Sequence, residues 1–296
     1  MDRNIEAVNQ AIKFLRDHKG SPKILVKQIR NAGDSIHMTI PIHHYRIKYP
    51  NAAIAFIVGQ WYHNIHEHNP HINGLFLADH NATPQQRLQL WPLIQNTQDI
   101  DIKIIASIHP FGVVYPQNRW SLPCIADQYF YNAGITDLKP LGGRKPIIRI
   151  TDDDRNFAKA ICNRHKVNRL VIFECYSYSK TPVWDNFKFE RLASILQPHG
   201  VKCMTIASSS EQAIRGTISC TGITWRQTTA LLGQAKAMVG VGSGITMMAA
   251  AAEPQPRIVE LGIPSSVSMN GCGYAPSISI NDPTIEDVKT KILEVL

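Results

Sequence analysis

Gly33–Asp34, within NAGDSIHMTIP (31–41), follows an apolar run and precedes a helix-like segment. That is where α/β proteins gather catalytic groups. A carboxylate at Asp34 has two uses there. It can cap the helix by accepting a backbone N–H bond, worth about 1 kcal/mol, or it can stand as a general base. In the second half, ECYSYSKTPVWDNFKFERLA (174–193) sets Ser177, Ser179 and Lys180 just past another apolar run. Two hydroxyls and an ammonium suit a phosphate, with the lysine as point charge; a solvated polar loop would use the same residues. The third stretch is GVGSGITMMAAAA (240–252), where Gly242, Ser243, Gly244 and Ile245 make a glycine turn before a helix-like run. N–H groups at a helix start are unpaired and the helix dipole favours negative charge there. Glycine's backbone freedom alone also accounts for such a turn.

These groups need a scaffold, and the apolar runs supply one. KILVKQI (23–29), AAIAFIVG (52–59), GLFLAD (74–79) and IKIIAS (102–107) read as buried parallel strands. The alternation restarts with RLVIFECYS (169–177), VKCMTIAS (201–208), AMVGVG (237–242) and RIVELG (257–262). Helices are expected at DNFKFERLASIL (185–196), at WRQTTALLGQAK (225–236), and across TIPIHHYRIK, which ends before Pro50. An N-terminal helix carries Ile5, Val8, Ile12 and Leu15 on one side. The expected fold class is therefore α/β, two Rossmann-like doubly wound units facing a cleft. Their join falls in DLKPLGGRKP (137–146), giving domains 1–140 and 141–296.

Composition narrows the class further. Hydrophobic residues are 44% and charged residues 18% of the 296, as in globular rather than disordered chains. No apolar run reaches the roughly 20 residues that span a bilayer, and the N-terminus lacks the apolar core of a signal peptide. Six cysteines without a CxxC pair read as buried reduced thiols of a cytosolic protein. A net charge of +8 suits a polyanionic partner or an anionic membrane surface, and suits a merely solvated surface as well. The histidine cluster WYHNIHEHNPH (61–71) has only Asn and Glu67 beside it, so it reads as a polar surface segment rather than a metal site.

The ordered set of motifs resembles glycosyltransferase family nine, the bacterial heptosyltransferases and their relatives. The pieces that carry the resemblance are KILVKQIRNAGDSIHMTIP, RIKYPNAAIAFIV and NPHINGLFLAD, then VIFECYSYSKTPVWDNFKFERLASIL, SCTGIT and TALLGQAKAMVGVGSGITMMAAAA. They span about 23–80 and 169–262 in the family's order; 81–168 matches weakly. The resemblance implies a GT-B arrangement with the nucleotide-sugar donor on the C-terminal half and the acceptor on the N-terminal half. It implies inverting transfer without a metal or other cofactor. Asp34 matches the family's catalytic aspartate, Lys180 its phosphate-contacting lysine, and Ser243 and Gly244 its phosphate-binding turn. Gly33, His37, His43 and His44 are then acceptor-side candidates, while core packing accounts equally well for His43 and His44.

Two positions depart from the family. Gly242 stands where many members carry an acidic residue, and Met247 where they carry a histidine. The acceptor implied is a surface glycan, a lipopolysaccharide-type or lipid-linked acceptor, or another anionic one. The basic balance equally suits DNA, such as a modified phage base, or a protein acceptor. A rival of another class is a non-catalytic nucleotide-sugar-binding subunit. The expected location is cytoplasmic, with peripheral contact at the inner membrane surface.

Overall fold

A computed structural model describes residues 2–29, 31–105, 125–176, 184–207, 212–262 and 277–296. The chain divides into two compact units, Met1–Arg149 and Ile150–Leu296.

The first unit starts with α1 (Arg3–Asp17), whose N-cap Asp2 accepts from the Asn4 N–H at 2.8 Å. Val8, Ile12 and Leu15 are buried as their spacing requires, together with Ala7 and Ala11. The strands β1 (Lys23–Gln28), β2 (Ala53–Gly59), β3 (Gly74–Ala78) and β4 (Ile102–Ile105) form a parallel sheet in the order β3-β2-β1-β4. Every residue of β2 is buried, which is why AIAFIVG is apolar throughout instead of alternating. Between and after the strands come α2 (Ala32–His37), α3 (Thr39–Lys48), α4 (His63–His66), α5 (Pro84–Gln95) and α6 (Ile125–Asn132). Leu15 of α1, Leu25, Ile57 and Leu90 share one core.

In the second unit β5 (Arg169–Glu174), β6 (Val201–Ala207), β7 (Ile218–Thr221), β8 (Ala237–Gly240), β9 (Arg257–Gly262) and β10 (Ser277–Asn281) form a parallel sheet. Their order is β10-β9-β8-β5-β6-β7. The helices are α7 (Asp152–Arg164), α8 (Asn186–Leu196), α9 (Trp225–Leu232), α10 (Gly244–Ala251) and α11 (Ile285–Leu293). Threonine capping boxes start α7, α9 and α11. Asp154, in the box of α7, also pairs with Arg226 of α9 at 3.1 Å. Both units are thus parallel α/β layers, the fold class expected.

Two expectations need adjusting. The helix read over 225–236 stops at Leu232, and the Gly233 that follows packs so closely that a Cβ would sit 2.9 Å from the Glu253 carbonyl. The edge strands β7 and β10 were not read as strands. Trp184 belongs to the core, donating its indole N–H to the Pro283 carbonyl at 3.0 Å. Cys162, Cys175, Cys203 and Cys220 are free and buried. Burial holds their thiols above the ordinary range, Cys203 up to about 12, which keeps them unreactive. Among the described residues no helix is long and apolar enough to cross a membrane.

Candidate functional site

In the first unit the site builds outward from β1, flanked by β2 and β4 in the sheet. The chain leaves this strand through Asn31, whose φ of 63° lies in the left-handed region that asparagine tolerates better than most residues. Asn31 is the cap residue of α2, so Asp34 does not cap; it sits inside the first turn of the helix. Its Oδ2 accepts from the Asn31 side-chain amide at 3.0 Å, and the residue is half-buried. A carboxylate held in this way, at the carboxyl end of an interior strand, can take a proton from a group presented to it.

Ser35 fixes the neighbouring backbone. Its hydroxyl lies 2.6 Å from Nε2 of His66 on α4, and both side chains are buried. The polar-surface reading of 61–71 therefore fails at His66, which also packs edge-on to Phe56. His63 behaves as expected of a surface residue, half-exposed and 3.5 Å from Glu67.

His37, His43 and His44, expected on the acceptor side, each make contacts within the first unit. His37 is buried and stacked on Tyr129, with ring centroids 5.0 Å apart. Desolvation lowers the His37 and His66 imidazoles to about 3, so both are neutral at ordinary pH. His43 stacks on His71 at 4.4 Å, and a Cβ on Gly142 would meet its ring at 2.5 Å. His44 Nδ1 accepts from the Leu141 N–H at 2.9 Å. Gly33, half-buried in α2, precedes Asp34 directly. Among the described residues no group of three or more His, Cys, Asp or Glu is arranged to hold a metal ion.

In the second unit the glycine turn joins β8 to α10, and Gly242 has a φ of 77°. A side chain there would be strained, so the acid many family-nine sequences carry cannot stand at this position without cost. Met247, the other departure, is buried. The turn does hold an acidic side chain. It is Glu174, the last residue of β5, paired in register with Gly240 of β8 and 1% exposed. One carboxylate oxygen, Oε1, accepts from the Ser243 hydroxyl and from the Ile245 N–H at 3.2 Å. The other, Oε2, accepts from the Ser243 N–H at 3.3 Å and the Thr246 hydroxyl at 2.7 Å. A Cβ on Gly240 would lie 2.6 Å from that second oxygen, so glycine is needed for the carboxylate to fit. The N–H groups expected to receive a phosphate are thus occupied by a side chain of the same chain.

Sequence reasoning took Glu174 for an ordinary strand residue. The signal was present: a lone carboxylate in an apolar strand must find several partners to be buried. Ser177, Ser179 and Lys180 lie outside the described residues.

No protein-family model matches the chain, and the search of curated proteins returned no match. Solved structures do match. The glycosyl transferase family 9 protein from Veillonella parvula superposes with a TM-score of 0.70 at 18% identity, covering 92% of this chain and 95% of its own. The ADP-heptose lps heptosyltransferase II of E. coli gives 0.69 at 16%, covering 92% and 98%. An iron-containing dodecameric glycosyltransferase from enterotoxigenic E. coli gives 0.56 at 13%, covering 85% of this chain and 61% of its own. This chain has their fold. Each of the first two superpositions covers more of this chain than the two stretches, about 23–80 and 169–262, that carry the sequence motifs.

Proposed function

We propose that the protein is an inverting glycosyltransferase that moves a sugar from a nucleotide-sugar donor to a hydroxyl of a surface-glycan or lipopolysaccharide-type acceptor. Asp34 takes the proton of the acceptor hydroxyl while its oxygen attacks the anomeric carbon. The bond from that carbon to the diphosphate breaks, and the nucleoside diphosphate leaves with the electron pair. Lys180, with Ser177 and Ser179, meets the charge that grows on the leaving group. The turn at Gly242–Ile245 joins them once Glu174 gives up the Ser243 and Ile245 N–H groups to the phosphate. No metal takes part in this reading, and the protein works on the cytoplasmic side, against the inner membrane surface.

The observation that carries the proposal is the place of Asp34: a half-buried carboxylate, not a cap, at the end of an interior strand in a chain with a glycosyltransferase fold. A DNA acceptor rests on the net charge of +8 alone, and a protein acceptor on no structural feature of its own. The second reading, a nucleotide-sugar-binding subunit without turnover, draws its support from Glu174 filling the turn. A panel of nucleotide-sugars screened by thermal shift, followed by release of nucleoside diphosphate from whichever stabilises, separates the two. Stabilisation with release supports transfer, and stabilisation without release in the presence of glycan acceptors supports the binding subunit.

A further inference from the structure

Trp61 follows β2 by two residues and is 63% exposed, whereas the ring beneath it is buried. That ring is His80, stacked against the indole with centroids 3.8 Å apart and planes 29° from parallel. His80 is 8% exposed, and neither of its ring nitrogens has a hydrogen-bond partner among the described residues. Its Nδ1 stands 3.8 Å from the carboxylate of Asp79, a side chain that is 40% exposed. The backbone under this group is pinned. The Asp79 N–H donates to the side chain of buried Asn4 at 2.9 Å, and the Asp79 carboxylate accepts from the Asn81 N–H at 2.9 Å. Gly59, at the end of β2, is wedged so closely that a Cβ would lie 2.1 Å from the Ile29 carbonyl and 3.1 Å from His80 Cβ.

The same contacts place the stack on the edge that carries Asp34. Ile29 follows β1 directly and leads into α2, while α4 begins two residues after Trp61. The Ser35–His66 contact then ties α2 to α4. A rigid aromatic plate, an exposed carboxylate and a candidate base thus share the carboxyl ends of β1, β2 and β3.

We propose that Trp61, backed by His80 and flanked by Asp79, is a platform for a neutral sugar ring of the acceptor. The reading rests on the glycosyl-transfer proposal for its role, though not for its existence as a binding surface. The C–H face of a pyranose packs on an indole, and an indole held by a neighbouring ring loses little freedom on binding. The Asp79 carboxylate accepts hydrogen bonds from sugar hydroxyls. It also repels phosphodiesters, which is why a sugar and not a nucleic acid is the occupant. Trp61 acts here in acceptor selection, not in the chemical step.

The test is an NMR titration of the ¹⁵N-labelled full chain with methyl α-D-mannopyranoside and methyl β-D-glucopyranoside, following the Trp61 indole N–H. Trp61→Phe assigns that resonance and keeps a ring in place. The resonance should shift on titration, and Trp61→Ala should weaken binding of the same glycosides by about tenfold. Asp79→Asn should weaken it too, while an oligothymidylate should leave the resonance where it is. An indole signal unmoved by either glycoside overturns the proposal, as does a larger shift with the oligothymidylate. Should Trp61→Ala fail to fold, the wild-type shift and the Phe variant still decide. A glycoside-induced shift in a protein that releases no nucleoside diphosphate would sink glycosyl transfer and leave the platform standing. Transfer with an acceptor KM unchanged in Trp61→Phe and Trp61→Ala would do the reverse.

Discussion

Glu174 and Ser243 stand 69 positions apart in the chain, yet the serine gives the carboxylate both its hydroxyl and its backbone N–H. The helix start that looked ready for a ligand is already capped from the neighbouring strand. Glu174→Ala removes an acceptor of four hydrogen bonds from a buried site. It should cost about 2–4 kcal/mol of stability. Sulfate should restore part of that loss, because an anion can enter the emptied turn. Thermal melts in sulfate and in chloride at matched ionic strength check this; a sulfate response no larger in the variant than in wild type would show that emptying the turn opens no anion site.

Asp34→Asn separates charge from shape. Asparagine keeps the size of the side chain but cannot take a proton at neutral pH. With Asp34 as base, kcat should drop by about 10²–10⁴ while donor Kd stays at the wild-type value. Steady-state rates with a working donor and acceptor, alongside calorimetry of the donor, give both numbers. A kcat near wild type removes Asp34 from the mechanism.

Lys180→Ala should weaken donor binding by about ten- to a hundredfold, the worth of one charge-assisted contact to phosphate. Calorimetry with the nucleoside diphosphate is the direct measurement. Unchanged affinity would put Lys180 in solvent.

Two buried histidines set an acid limit. His37 and His66 have folded values near 3 against an ordinary 6.5, both lowered by desolvation. The unfolded chain therefore takes up protons that the folded chain refuses once the pH drops below about 6.5. Stability is fully kept above that value and is lost progressively as the pH falls toward 3. At pH 5 each should have removed roughly 2 kcal/mol. Urea melts at pH 7 and pH 5 measure the loss, and His66→Gln should flatten the slope.

Turnover should survive chelation if Lys180 and the turn carry the phosphate charge without a metal. An EDTA titration of nucleoside diphosphate release reads this directly. Loss of release on chelation, restored by Mg²⁺, Mn²⁺ or iron, would refute it.

Much of the fold was legible because parallel strands buried on both faces announce themselves as unbroken apolar runs, AIAFIVG of β2 above all. The edge strands β7 and β10, ISCT and SISIN, carry too many hydroxyls for that signal. Asp34 was legible as a candidate, and the structure gives the cap position to Asn31 instead of to it. His66 was misread because its polar sequence neighbours hide a side chain turned inward, toward Ser35 and Phe56. Glu174 escaped since its partners lie on a turn far along the chain, and proximity of that kind is a property of the sheet order and not of local sequence.

That sheet order also bears on how the chain reaches its native state. Every strand pairing described is parallel, so none of them is made by a tight hairpin. Neighbouring strands must wait for a crossover to be synthesised and ordered, and β5 must wait for β8 across α8, β6, β7 and α9. Loop closure precedes reward at each step, which makes for slow folding and a nascent chain with sticky, unpaired apolar strands. The second sheet in particular stays open at β5 until β8 has left the ribosome, so lower temperature and slower synthesis should raise the yield of native protein.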